Sequence, residues 1–265
     1  MSTLSGAFKD RVVLVTGASR GIGAAIARGF AAQGGRVVVH YHRQAGMAAQ
    51  VALDCQTLGG DGWAIAADLT DPEQVRALMS QVGAEMGRVD VLVHNAFAPY
   101  RFDPDRRQRF WELQWPDVQR QIDGSVRACF DLCQAALPLM RGHAGANVVL
   151  IGTDLVTRAT IAYADYATAK SALAGLARHM ATDLGPLGVR VNTVAPGLVQ
   201  GTQASQHTPE SVREHILRQT PLGRLATPDD VAGAVLLLAG ALGLYYVAAA
   251  SAWVALVRLA RWTQR

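Results

Sequence analysis

Tyr166 and Lys170 stand four residues apart in the stretch A-Y-A-D-Y-A-T-A-K-S-A-L-A, whose composition reads as a helix. Both side chains then project from one helix face. An ammonium one turn from a phenol favours the phenolate and lowers the tyrosine pKa toward neutrality, which makes the phenol a usable general acid. The spacing alone is weak evidence, and the competing reading is a lysine on a solvated face. Composition strengthens the pairing. Of 25 basic residues only Lys9 and Lys170 are lysine, so a chain that otherwise uses arginine keeps a compact ammonium here.

A second constellation lies at the other end of the chain. Thr16-Gly17-Ala18-Ser19-Arg20-Gly21-Ile22-Gly23 follows an apolar run and precedes a helical pattern. Its spacing is G-x-x-x-G-x-G; Ile26 stands where the G-x-G-x-x-G fingerprint has its third glycine. Gly17 permits a tight turn, Gly21 and Gly23 permit close backbone approach, and the helix start offers free N–H groups to a pyrophosphate. A plain glycine-rich turn is the competing reading. His40 and His42 alternate on a strand, but no third ligand and no H-E-x-x-H accompany them, so no metal site is expected. Arg101, Arg106, Arg107 and Arg109 are interleaved with Asp103 and Asp105, the pattern of a solvated loop and not of a nucleic-acid patch.

The elements that must carry these residues alternate regularly. Strands are expected at Val12–Thr16, Val37–Tyr41, Trp63–Ala67, Val89–His94, Asn147–Gly152 and Val189–Val194. Helices are expected at 22–33, 45–58, from Asp71-Pro72, at 117–140, 163–184 and from Pro228. The strands are continuous apolar runs such as VVLV and VVV, as in strands buried on both faces. Strict alternation gives an α/β fold, a Rossmann-like doubly wound parallel sheet of about six or seven strands with helices on both faces. Its ligand crevice lies at the carboxyl ends of the strands. No repeat or linker divides the chain, so residues 1–240 read as a single dinucleotide-binding catalytic domain and 241–265 as an atypical apolar and basic tail.

Bulk properties agree. The 265 residues are 50% hydrophobic and 17% charged, enough for one large core and incompatible with disorder. The net charge of +4 comes mostly from the last 35 residues, which hold Arg258, Arg261 and Arg265 and no acid. Three cysteines are too few for a disulfide scaffold, and the N-terminus has no apolar signal region, so a cytoplasmic protein is expected. Residues 231–257 carry no charge and are followed by Arg258 and Arg261, but the first part is claimed by the helix after Pro228, and no membrane anchoring is expected.

Taken in order, T-G-A-S-R-G-I-G, Asp68-Leu69, His94-Asn95-Ala96, Tyr166-x-x-x-Lys170 and Pro196-Gly197 resemble the classical short-chain dehydrogenase/reductase family, most closely its 3-oxoacyl-acyl-carrier-protein reductase-like members. The resemblance runs from about Lys9 to Leu238. It implies an NADP-dependent oxidoreductase of fatty acid metabolism type that reduces a ketone, a 3-oxoacyl thioester or similar carbonyl, to a secondary alcohol. It implies Tyr166, Lys170 and Thr153 as catalytic residues, Thr153 holding the family's serine position. Ser125 is the fourth catalytic position the resemblance implies; it falls where the family has an asparagine, and a hydroxyl cannot reproduce an amide's two ends. Phe97 replaces the usual glycine after Asn95-Ala96.

For the cofactor the resemblance implies Gly17, Ser19, Arg20, Gly21, Ile22, Gly23, Arg43, Asp68, Leu69, Asn95, Ala96, Pro196 and Gly197, together with Tyr166 and Lys170. Strand two ends in His40-Tyr41-His42-Arg43 with no acid between Asp10 and Asp54. An acid there selects NAD, so NADPH/NADP+ is expected, with Arg20 and Arg43 at the 2′-phosphate. A small-molecule partner and a homodimer or homotetramer follow from the same resemblance. Two further readings fit the residues: an NAD(P)-dependent alcohol dehydrogenase working oxidatively, and a non-catalytic dinucleotide-binding homologue.

Overall fold

A computed structural model of the chain describes residues 6–159 and 161–240. The expected tail at 241–265, and any seventh strand it carries, lie outside the described residues. Six strands, β1 (Val12–Val15), β2 (Arg36–Tyr41), β3 (Asp61–Ala66), β4 (Val91–His94), β5 (Asn147–Ile151) and β6 (Arg190–Val194), form one sheet in the order β3-β2-β1-β4-β5-β6. Every pairing is parallel. All residues of β1, β4 and β5 are buried, which is why their sequences are unbroken apolar runs.

Helices α1 (Gly21–Ala31), α2 (Ala45–Thr57) and α8 (Pro228–Ala239) cover one face, in a core built around Ile26, Phe30, Val39 and Val235. Helices α3 (Pro72–Met86), α5 (Ala128–Met140) and α6 (Ala164–Leu184) cover the other, around Leu14, Leu78, Leu132 and Leu173. Local signals set the ends. Asp71 caps α3 by accepting the Glu73 amide at 2.9 Å, with Pro72 in the first turn. Thr227 and Asp230 form a reciprocal capping box on α8.

Two features differ from the sequence expectation. The single helix expected over 117–140 is three pieces: α4 (Trp115–Ile122), a π turn at Asp123–Arg127, and α5. Gly124 in the π turn lies against the strap after β4, where a Cβ would come within 2.7 Å of the Ala98 amide nitrogen. The second is α7 (Glu210–Arg218), amphipathic and without a fully buried residue, where no helix is expected from the sequence.

The edge strand β3 seats α2 by backbone contact. A Cβ on Gly62 would fall 2.3 Å from the Ala52 carbonyl oxygen. Gly62→Ala must therefore push α2 off the sheet, with an expected loss of about 1–3 kcal/mol of stability, read as a lowered urea midpoint at unchanged m-value.

Candidate active site

Between β1 and α1 the chain turns through Gly17 (φ +61°) and Gly21 (φ +55°), both in the left-handed region. The turn is held from three sides. Thr16 Oγ1 accepts the Asn95 and Ala96 amides, each at 3.0 Å, so the ends of β1 and β4 are tied together. Asn95 Nδ2 donates to the Thr16 and Gly17 carbonyls at 2.9 and 3.2 Å. The Gly17 amide donates to His40 Nδ1 at 3.2 Å, and His40 Nε2 donates to the Ala67 carbonyl at 3.0 Å.

Gly23 must lack a side chain, because a Cβ would meet the Gly17 carbonyl oxygen at 2.4 Å and Asn95 Nδ2 at 2.7 Å. Ser19 is buried and Ile22 half-buried, while Arg20 is exposed. Arg20 is extended and no side chain caps α1, so the first-turn amides of α1 suit an anion. This cradle, which only glycine backbone can form, fits a dinucleotide pyrophosphate.

At the end of β2, His42 and Arg43 are exposed. The sequence window holds no acid, but the fold brings one from β3: Asp68 Oδ2 is 3.5 Å from His42 Nε2. Asp68 also accepts from the Thr70 amide and hydroxyl at 2.9 and 2.7 Å, and these bonds with His42 and Arg43 hold its carboxyl below the usual range against the opposing effect of burial. Leu69 is buried beside it.

On the other side of the crevice α6 places Tyr166 and Lys170 on its buried face, as the spacing implied. Lys170 Nζ donates to the Ile151 carbonyl at 2.8 Å, fastening α6 to the end of β5. Two residues beyond Ile151, Thr153 is buried; its hydroxyl accepts the Leu155 amide at 3.3 Å and favours the ionised form of the neighbouring Tyr166 phenol. Pro196 and Gly197 follow β6, and the Pro196 carbonyl accepts the Asp154 amide at 3.0 Å.

The phenol differs from expectation. Burial pushes the Tyr166 pKa up, opposed by the Thr153 bond and reinforced by the Asp154 charge. The cause is visible in the packing: the rings of Phe102, Tyr100 and Phe97 stand 4.9, 5.2 and 5.9 Å from the Tyr166 ring, centroid to centroid. Lys170 is turned to Ile151, its Nζ 5.9 Å from the Tyr166 ring centroid and 5.2 Å from that of Phe97. Its own pKa is pulled down to about 8 by burial. Tyr100 is fixed by donating to Asp165 at 2.8 Å. The sequence reading named Phe97 as added bulk but missed Tyr100 and Phe102; the aromatic spacing F-x-x-Y-x-F was the available signal.

Ser125 sits in the π turn, fully buried, with its carbonyl accepting from His94 Nε2 at 3.1 Å. His94 is buried too, and burial and the Lys170 charge pull its pKa to about 3. Among the described residues no cluster of three or more potential metal ligands occurs, and no helix is long and apolar enough to cross a membrane.

The glycine cradle and the Tyr–Lys pair thus face one crevice at the strand ends. Residues 17–250 match the family model described as enoyl-(acyl carrier protein) reductase. The chain belongs to the short-chain dehydrogenase/reductase family. As such it is an oxidoreductase of a family that binds nicotinamide dinucleotides, and its sheet order is the one such a site requires. The chain is 33% identical over 232 residues to the 3-oxoacyl-acyl-carrier-protein reductase of Escherichia coli, covering 88% of this chain and 91% of that one. A solved 7α-hydroxysteroid dehydrogenase complexed with NADH and 7-oxo glycochenodeoxycholic acid superposes with a TM-score of 0.82 at 31% identity, covering 92% and 93% of the two chains. A Burkholderia cenocepacia short-chain dehydrogenase in complex with NADP does so at 0.77 and 32%, covering 88% and 92%.

Two buried histidines give this family member a pH signature. Burial pulls the His40 pKa to about 4 and the His94 pKa to about 3. Each stays neutral in the fold while the unfolded chain binds a proton below about 6.5, so stability falls as pH falls from about 6.5 toward those values. The slope is about 1.4 kcal/mol per pH unit for each histidine well inside that window. Urea titrations between pH 7 and 4.5 should show His94→Asn with a shallower acid limb than the wild type.

Proposed function

We propose that the protein is an NADPH-dependent carbonyl reductase that converts a ketone, a 3-oxoacyl thioester or similar carbonyl, to a secondary alcohol. The observation that carries this reading is the convergence of Thr153, Tyr166 and Lys170 at the end of β5, across the crevice from the glycine cradle. The cofactor, when bound, supplies the hydride. Thr153 Oγ1 and the Tyr166 hydroxyl hold the carbonyl oxygen, and Tyr166 gives it a proton as charge develops there. Lys170, buried and fixed by Ile151, places a positive charge behind the phenol and so favours loss of that proton. Phe97, Tyr100 and Phe102 keep water from the reacting oxygen. The catalytic unit is residues 1–240, working in the cytoplasm as a homodimer or homotetramer.

NADPH is the preferred coenzyme in this reading. Arg20 and Arg43 are exposed at the ends of the glycine turn and β2, and neither forms an ion pair within 4.0 Å among the described residues. Asp68, the acid the fold brings near, is already engaged by Thr70 and His42. The Burkholderia relative binds NADP, whereas the 7α-hydroxysteroid dehydrogenase holds NADH; its 7-oxo ligand supports a ketone as the substrate class.

Tyr166→Phe should lower kcat by at least about a hundredfold while the NADPH Kd stays within about twofold, because the phenol acts on the reacting oxygen. Thr153→Ser should keep activity and Thr153→Val should lose it. A panel of 3-oxoacyl thioesters and simple ketones with NADPH reads all three; turnover by Tyr166→Phe would defeat the mechanism. Fluorescence titration tests the coenzyme: NADPH should bind about tenfold or more tighter than NADH, and Arg43→Asp should remove that difference.

A further inference from the structure

We infer that Tyr100 is a specificity-determining residue: its bond to Asp165 latches the strap 99–113 over Tyr166, so that a bulky ketone must lift the strap to reach the phenol. The inference rests on the reductase reading of Tyr166. A general acid must touch the oxygen it protonates, yet Tyr166 is only 6% exposed. The rings of Tyr100 and Phe102 lie on it with centroids 5.2 and 4.9 Å away, and both belong to the strap between β4 and α4. The surface that a ketone would lie against is taken by the protein's own side chains.

The strap is built to part from the phenol. Among the described residues no backbone–backbone hydrogen bond joins 99–113 to any other segment; those it makes, such as Asp103 to Arg101 and Glu112 to Arg109, close within it. Phe110 and Trp111 are 82% and 80% exposed and add little packing. A segment with few buried contacts and self-contained hydrogen bonds opens locally at low cost. Its ends, by contrast, are fixed. Ala98 is buried against Gly124, where a Cβ on the glycine would come within 2.7 Å of the Ala98 amide nitrogen, and α4 begins at Trp115. Movement is confined to the residues between them.

Two bonds hold the strap shut, and both end at the start of α6. Tyr100 donates to Asp165 Oδ1 at 2.8 Å, and Arg107 donates to the Ala162 carbonyl at 3.2 Å. The Arg107 bond is exposed and competes with water, whereas the Tyr100 bond is part-buried and its acceptor is the residue before Tyr166. Burial and the Asp165 carboxyl push the Tyr100 pKa up, so the hydroxyl keeps the hydrogen it donates. A small ketone needs room for a few atoms, which rotation of the rings can give. A ketone with a ring beside its carbonyl needs the strap itself to lift, and with it the latch. Its apparent affinity is then the intrinsic affinity reduced by the open fraction. Losing the latch raises that fraction, so KM falls while the chemistry at Tyr166 is untouched.

Tyr100→Phe keeps the ring and removes the latch. With 1-tetralone as the bulky probe and 2-butanone as the small one, at saturating NADPH, the KM for 1-tetralone should fall at least about fivefold with kcat within about twofold, while the KM for 2-butanone changes by less than about twofold. Asp165→Ala should act like Tyr100→Phe, whereas Asp165→Asn, which still offers an oxygen to the Tyr100 hydroxyl, should keep the wild-type KM values. Trypsin reads the latch with no substrate present, because Arg101, Arg106, Arg107 and Arg109 lie in the strap. Cleavage there tracks the open fraction, so Tyr100→Phe and Asp165→Ala should be cut within the strap at least about fivefold faster than the wild type, and Asp165→Asn at the wild-type rate. Equal tryptic rates in the wild type and Tyr100→Phe would overturn the latch, and an equal fall in both KM values would overturn its role in specificity. A wild type inert toward every ketone defeats the reductase reading alone, and the tryptic rates still decide the latch.

Discussion

The hydroxyl of Thr16 occupies the one point in this fold where the strand order reverses. The chain runs outward from β1 to β3 in one direction and from β4 to β6 in the other, so the crevice opens between the ends of β1 and β4. Thr16 Oγ1 bridges that division by accepting two amides from the strand on the far side, and Asn95 returns two bonds from its side-chain nitrogen. These bonds set the distance between the glycine cradle and the Tyr166 side of the site. A cradle bound only to its own helix could drift relative to β4 and β5; bolted at Asn95, it cannot move without breaking several buried hydrogen bonds. Asn95 thus supports the dinucleotide crevice mainly by shaping the backbone that lines it.

Around that fixed crevice the protein buries groups that ordinarily carry charge. Lys170, His40 and His94 are each shielded from solvent, and in all three desolvation is the leading cause of a lowered pKa. For the histidines this makes neutral rings that work as hydrogen-bond spacers, one between the glycine turn and β3, the other between β4 and the π turn. For Lys170 it leaves an ammonium whose proton is lightly held near neutrality. The phenol is moved the opposite way by the same force, because burial disfavours the charged form of each group. An acid held neutral and a base with a weakened proton, stacked on one helix face, are suited to passing a proton without sustaining separated charge.

The departures from the family pattern fall together in space. Phe97, Tyr100 and Phe102 pack their rings on Tyr166, while His94 meets the Ser125 carbonyl in the π turn.

Apart from α7, the local structure was legible in the sequence. Unbroken runs such as VVLV announced strands covered on both faces, Asp71-Pro72 and Thr227-Pro228 marked helix starts, and the four-residue spacing placed Tyr166 and Lys170 on one face. Each of these depends on residues within a turn or two of one another, so order along the chain suffices. What escaped was set by contacts between distant segments. Asp68 arrives beside His42 from another strand, although the window around β2 holds no acid. Lys170 bonds to Ile151, nineteen residues away, and not to the phenol it was expected to acidify. The aromatic strap from Phe97 to Phe102 raises the pKa that the Tyr-x-x-x-Lys spacing seemed to lower, because burial is a property of the packed fold. The π turn is of the same kind: no propensity in Asp123–Arg127 demands it, and it forms where Gly124 must lie against Ala98 while Ser125 meets His94. Sequence thus determined which groups the site contains and the elements that carry them. Tertiary structure decided their protonation and their partners, since desolvation and hydrogen bonding depend on neighbours brought together only by folding.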